Sequence, residues 1–146
     1  VITVFLDRDS VAMGDDIDPH VVAWQFDDGA TPGDVLVRAL AEHYLANVAG
    51  EVAWAYEVGT FTLDRYPDFI APRAQQTVTA AAVLQPGPGR WAALPLRRRV
   101  LEQPFLDRPD WAAGDREFAV NFHYASEGQV LDLPSLTSRL RPNRHS

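Results

Sequence analysis

Thr31-Pro32-Gly33-Asp34-Val35-Leu36-Val37-Arg38-Ala39-Leu40 is the stretch whose reading decides the fold. Thr31 is a strong N-cap, because its hydroxyl can accept a backbone N–H that the first helical turn leaves without a partner. Pro32 then takes the first helical position, where a missing N–H costs nothing, and Asp34 completes an acidic variant of the capping box. Val35, Leu36, Ala39, Leu40, Tyr44, Leu45 and Val48 recur at three- and four-residue spacing, and Gly50 supplies a stop. The spacing predicts one amphipathic helix over residues 31–49.

Strands flank that helix on both sides. Val1-Ile2-Thr3-Val4-Phe5-Leu6 is an apolar, β-branched run that reads as a buried strand, and Val21-Val22-Ala23-Trp24-Gln25-Phe26 reads as a second, stopped by Asp27-Asp28-Gly29. After the helix, Val52, Trp54, Tyr56 and Val58 alternate with Glu51, Ala53, Ala55 and Glu57, which predicts a third strand broken by Gly59, with residues 60–63 as its hairpin partner. The order strand, strand, helix, strand suits a β-grasp-like or related α+β domain, with a mostly antiparallel sheet and the helix packed on it. Further strands are expected over residues 75–84, 91–94 and 118–124, and one or two helical turns over residues 96–103; residues 64–72 and 107–111 read as aromatic loops.

At 146 residues the chain fits one domain, taken as residues 1–134, with residues 135–146 as a short basic tail. It contains no cysteine, which excludes disulfides, thiolate metal sites and a cysteine nucleophile, and suits a cytoplasmic location. Every basic side chain other than histidine is arginine, so lysine-dependent Schiff-base or P-loop chemistry is excluded too. The formal charge of −7 is uneven: residues 1–70 carry −10 and residues 71–146 carry +3. The acidic half repels phosphate backbones, so nucleic acid is a poor partner and a basic protein surface a better one. No apolar run approaches the ~20 residues that span a bilayer, and no membrane association is expected.

Chemistry-bearing side chains concentrate early. Asp7, Asp9, Asp15, Asp16, Asp18 and His20 fall within residues 7–20. Hard oxygen donors with one imidazole suit Mg²⁺, Mn²⁺ or Ca²⁺, although the spacing does not fit an EF-hand. An ordinary solvated acidic turn, in which Asp side chains bond nearby backbone N–H groups, explains the same residues with no metal at all. No Gly-x-Ser-x-Gly turn supports a serine hydrolase, and the four histidines assemble no catalytic set. Tyr66, Phe69 and Trp111, beside prolines and arginines, are residue types that anchor protein interfaces, or else fold back to cap the core; Trp91 belongs with them.

Phe5-Leu6-Asp7-Arg8-Asp9-Ser10-Val11 resembles the first motif of haloacid-dehalogenase-type phosphatases, an apolar strand ending in Asp-x-Asp. The resemblance implies Asp7 as nucleophile, Asp9 as acid/base and Mg²⁺ as cofactor. It departs from the pattern at Ser10, where the family has glycine, and in lacking a later lysine, for which Arg65 or Arg73 would have to substitute. A second resemblance joins residues 6–11, Gly14-Asp15-Asp16, Asp28-Gly29-Ala30-Thr31, residues 44–50 and Gln75-Gln76: together these are similar to small uncharacterised proteins of actinobacteria, which implies a bacterial cytoplasmic protein and no catalytic residue.

Two functions are therefore expected in order. The first is a non-enzymatic interaction or regulatory domain, an immunity-type factor among the options, needing no cofactor. It would present Asp7, Asp9, Asp15, Asp16, Asp18, Asp27 and Asp28, with Tyr66, Phe69 and Trp111, to a protein partner. The second is a Mg²⁺-dependent phosphotransfer enzyme using Asp7 and Asp9, with Asp15, Asp16, Asp18 and His20 as further metal donors.

Overall fold

A mixed sheet of six strands, carrying one main helix on one face, organises the computed structural model, which describes residues 1–9, 20–45, 52–87 and 90–124. In chain order the elements are β1 (Ile2–Arg8), β2 (Val22–Phe26), α1 (Pro32–Ala41), β3 (Val52–Arg65), β4 (Ile70–Gly87), β5 (Arg90–Pro95), α2 (Arg98–Glu102) and β6 (Glu117–Tyr124), with 3-10 turns at Phe105–Asp107 and Pro109–Trp111. The sheet order is β2-β1-β6-β3-β4-β5. β1 and β6 run parallel at the centre, while every other neighbouring pair is antiparallel.

Strand alternation sets the two faces. Ile2, Val4 and Leu6 of β1, Phe118, Val120 and Phe122 of β6, and Trp54, Tyr56 and Val58 of β3 all turn to the helical side, where they bury against Val35, Leu36 and Ala39 of α1, Leu101 of α2, and Phe105 and Trp111 of the turns. Among the described residues, the opposite, more open face holds a smaller apolar cluster, Phe5, Phe61 and Ala119, joined by Val21, Leu63 and Ile70, and Ala53 and Ala82 are buried on that side as well.

The predicted capping box forms: Thr31 Oγ1 accepts the Asp34 N–H at 3.1 Å and Asp34 Oδ2 accepts the Thr31 N–H at 2.9 Å. The helix is shorter than its apolar spacing predicts. It stops at Ala41 because His43 adopts a left-handed φ of 55°, with the His43 N–H on Leu40 O and the Tyr44 N–H on Ala39 O, the bonding pattern of a Schellman stop. Tyr44 and Leu45 still reach the core, but from beyond the helix. Val48 and Gly50 lie outside the described residues. Tyr56 ties the helix start to the sheet, its hydroxyl donating to Pro32 O at 2.8 Å.

Gly59 also acts differently from its expected role. Instead of ending the strand, it sits at φ 142° between two register irregularities, Tyr56/Glu57 and Thr60/Phe61, and residues 60–63 continue β3 rather than reversing it. Only residues 66–69 form the turn; β4 begins at Ile70. β3 leaves its pairing with β6 at Val58, so the far part of the β3–β4 hairpin is a two-stranded ribbon whose Phe61, Leu63 and Ile70 pack over Phe5 and Ala119. No helix among the described residues is long and apolar enough to cross a membrane.

Candidate functional site

The parallel pairing of β1 with β6 brings the ends of the two strands together on the open face. Asp7 lies opposite Asn121 and Arg8 opposite Phe122; beyond the strand, the Asp9 N–H continues the ladder to Phe122 O at 3.1 Å. Since Leu6 and Phe122 face the helices, Asp7 and Asn121 must face away.

Asp9 has two engagements. Its Oδ2 accepts the Tyr124 N–H at 2.9 Å and lies 2.7 Å from His123 Nδ1, so the carboxylate orients the imidazole while the ring stays exposed. Asn121 Nδ2 donates to Glu57 Oε1 at 3.0 Å, extending the polar row onto β3. Burial pushes the Asp7 carboxyl above the ordinary carboxylate range; the Arg8 N–H, bonded to its Oδ1 at 2.9 Å, and the charge of His20 act against that shift, and Asp9 adds to it. His20 is held nearby by its carbonyl, which accepts the Tyr44 hydroxyl at 2.6 Å. Burial likewise raises the Tyr44 and Tyr56 hydroxyls, which stay protonated. His123 lies two residues beyond Asn121, the residue opposite Asp7, so the oriented imidazole and the carboxyl of raised proton affinity share one end of the β1–β6 pair without touching.

The other sequence-predicted residues do not join this cluster. Asp27 and Asp28 follow β2, whose Phe26 pairs with Ile2, so they sit at the opposite end of β1 from Asp7, roughly 17 Å away at one strand rise per residue. Asp28 is engaged by the Val1 amino group and the Arg116 guanidinium, which hold its carboxyl below the usual range. Asp15, Asp16 and Asp18 lie outside the described residues. Among the described residues, no group of three or more histidines and carboxylates is arranged to hold a metal ion. Arg65 and Arg73, the candidate phosphate partners, bind Glu117 Oε1 at 3.0 Å and Asp64 Oδ2 at 2.7 Å instead. Glu117 begins β6, four residues before Asn121, which places Arg65 roughly 13 Å from the Asp7 end.

The aromatics divide. Tyr66 and Phe69 stand at the ribbon turn, 48% and 41% exposed, their rings stacked with centroids 4.8 Å apart, and the Tyr66 N–H bonds Phe69 O at 2.9 Å. Trp111 is buried beneath the Arg108 guanidinium, 4.6 Å from the ring centroid, and packs into the main core. Trp91 is half-buried against the same core.

Comparison with protein-family models, with curated proteins and with solved structures finds no match for this chain. The pairing of Asp9 with His123 is the feature that sequence reading missed. His123 alternates with buried aromatics and so was assignable to the open face, but nothing local marks a partner more than a hundred residues away.

Proposed function

We propose that the protein is a non-enzymatic interaction domain of β-grasp-like topology, a cytoplasmic regulatory or immunity-type factor that binds a protein partner. The sheet order, with the first and last strands parallel at its centre and the helix crossing after β2, supports that topology. The observation that carries the binding reading is the exposed, stacked Tyr66–Phe69 pair at the ribbon turn. Two large aromatics held against each other lose little side-chain freedom on contact and bring substantial apolar area, as interface anchors do. Asp68 between them favours a basic partner surface, with faster association at low salt.

The test begins with affinity purification from the native cell, followed by reconstitution with the recovered partner. Tyr66→Ser/Phe69→Ser should retain the wild-type melting temperature and lose partner binding. Equal partner affinity of the wild type and the double variant would sink the proposal.

The Asp9–His123 pair favours one second reading, Mg²⁺-dependent phosphotransfer with Asp7 as nucleophile and Asp9 as acid/base. A phosphate-ester assay with Mg²⁺ decides it, since turnover has to disappear in Asp7→Asn.

A further inference from the structure

On the helical side of the sheet, a cleft of about 290 Å³ opens where β3 and β4 bulge away from the segment that covers them. Its floor is the backbone around Gly59. A Cβ there would run into the Gln76 carbonyl oxygen and lie 2.9 Å from Thr77 Cα, so the two strands approach too closely for any larger residue. Its walls come from the start of α2 and from the turn at Pro109–Trp111.

Two arginines line this space, Arg97 and Arg108. Arg97 is anchored by its backbone, the N–H bonding Ala80 O at 3.0 Å where β4 bulges. Arg108 is fixed twice, by stacking on Trp111 and by its Nε donating to Gln103 Oε1 at 2.7 Å. Neither forms an ion pair among the described residues, although this chain is acidic overall. Thr60, Gln76 and one acidic residue, Asp110, also line the cleft, together with the apolar Val100 and Trp111.

We infer that this cleft binds a small organic monoanion, a carboxylate carrying an apolar body. The charge inventory selects a monoanion: two arginines against one aspartate leave a single positive charge, and Asp110 repels a second negative one. The fork of a guanidinium matches carboxylate and phosphate oxygens in pairs, and a guanidinium held in place by stacking loses little freedom on binding. The apolar wall gives the ligand's body a place that inorganic phosphate cannot use. The volume lies near the lower end of the range for small-molecule pockets. This site is separate from the ribbon turn, so neither proposal depends on the other.

Titration by calorimetry and by amide chemical shifts tests the inference, with benzoate, phenyl phosphate, inorganic phosphate and benzylammonium at up to millimolar concentrations. Benzoate should bind saturably and shift the amides of Thr60, Gln76 and Arg108, more tightly than the largely dianionic phenyl phosphate, while benzylammonium should not. Arg97→Gln and Arg108→Gln should each weaken binding by about tenfold or more, the worth of a charged hydrogen bond. Arg98→Gln, outside the cleft, should leave it unchanged. If Arg108→Gln disturbs folding through Trp111, exposed Arg97 still carries the test. The inference falls if benzoate does not bind, if its binding ignores both substitutions, or if phenyl phosphate, inorganic phosphate or benzylammonium binds as tightly as benzoate.

Discussion

Gly59→Ala is the substitution that most directly probes how the ribbon and the cleft are built. Gly59 holds φ 142°, a region that residues with a side chain rarely enter, and its missing Cβ is where the Gln76 carbonyl and Thr77 Cα approach. The conformational penalty alone is about 1–3 kcal/mol. The collision is with the backbone of a paired strand, which cannot rotate away as a side chain can, so a total near 3 kcal/mol or more is expected. For a domain of this size that corresponds to a fall of roughly 10 °C in melting temperature. Gly29→Ala is the internal control, because a Cβ there meets nothing within 4 Å and its φ lies outside the left-handed region. That change should be neutral or should stabilise by about 0.4–1 kcal/mol through the unfolded chain. Thermal and urea unfolding of both variants, followed by circular dichroism, measure the difference. Similar melting temperatures for the two would refute the bulge geometry and with it the shape of the cleft floor.

Three further substitutions test other joints of the fold. Tyr56→Phe removes the buried bond to Pro32 O and should cost about 1–2 kcal/mol by urea unfolding, with the fold intact. His43→Gly should stabilise by about 0.5–1 kcal/mol, because the exposed His43 side chain holds a left-handed φ that glycine adopts freely; a loss of stability would contradict the observed helix stop. Asp7→Asn should stabilise at neutral pH. The raised carboxyl favours its protonated form in the folded state, so wild-type stability is lost as pH rises through the folded pKa and restored below the ordinary carboxylate range. The gap between the two denaturant midpoints should therefore close on acidification, and a gap that is constant with pH would show that Asp7 is not desolvated.

Features set by neighbouring residues were legible in the sequence. Thr31, Pro32 and Asp34 carry the helix start within four residues, and the alternation in residues 118–124 places the β6 side chains on their proper faces. What depended on distant pairing was not. The apolar residues Tyr44 and Leu45 keep helical spacing because both sink into the core, yet they do so after a chain reversal at His43 that no periodicity records. Gly59 is equally suited to a chain reversal or to a bulge. Its partner, Gln76, decides between the two, and that pairing is a property of the ladder rather than of the glycine. The acidic surface illustrates the same point. Asp7 and Asp28 look like one charged region in sequence, but β1 separates them and Arg116 takes Asp28.

The Asp9–His123 pair follows from the register of one parallel ladder. Phe122 is fully buried among Tyr44 and Tyr56, with ring centroids 5.9 and 4.9 Å away, and that burial fixes which β6 residues face the helices. A slip of one residue would turn Phe118, Val120 and Phe122 out to the open face and carry His123 into the core. Burying three large side chains, at about 1.5–3 kcal/mol each, outweighs any single polar contact on the other face. The imidazole is therefore positioned by hydrophobic burial on the far side of its own strand, and Asp9 only aligns a ring already brought within reach. It follows that Asp9→Asn should leave the β6 register unchanged while freeing His123 to rotate, whereas Phe122→Ala should loosen the register and the pair together.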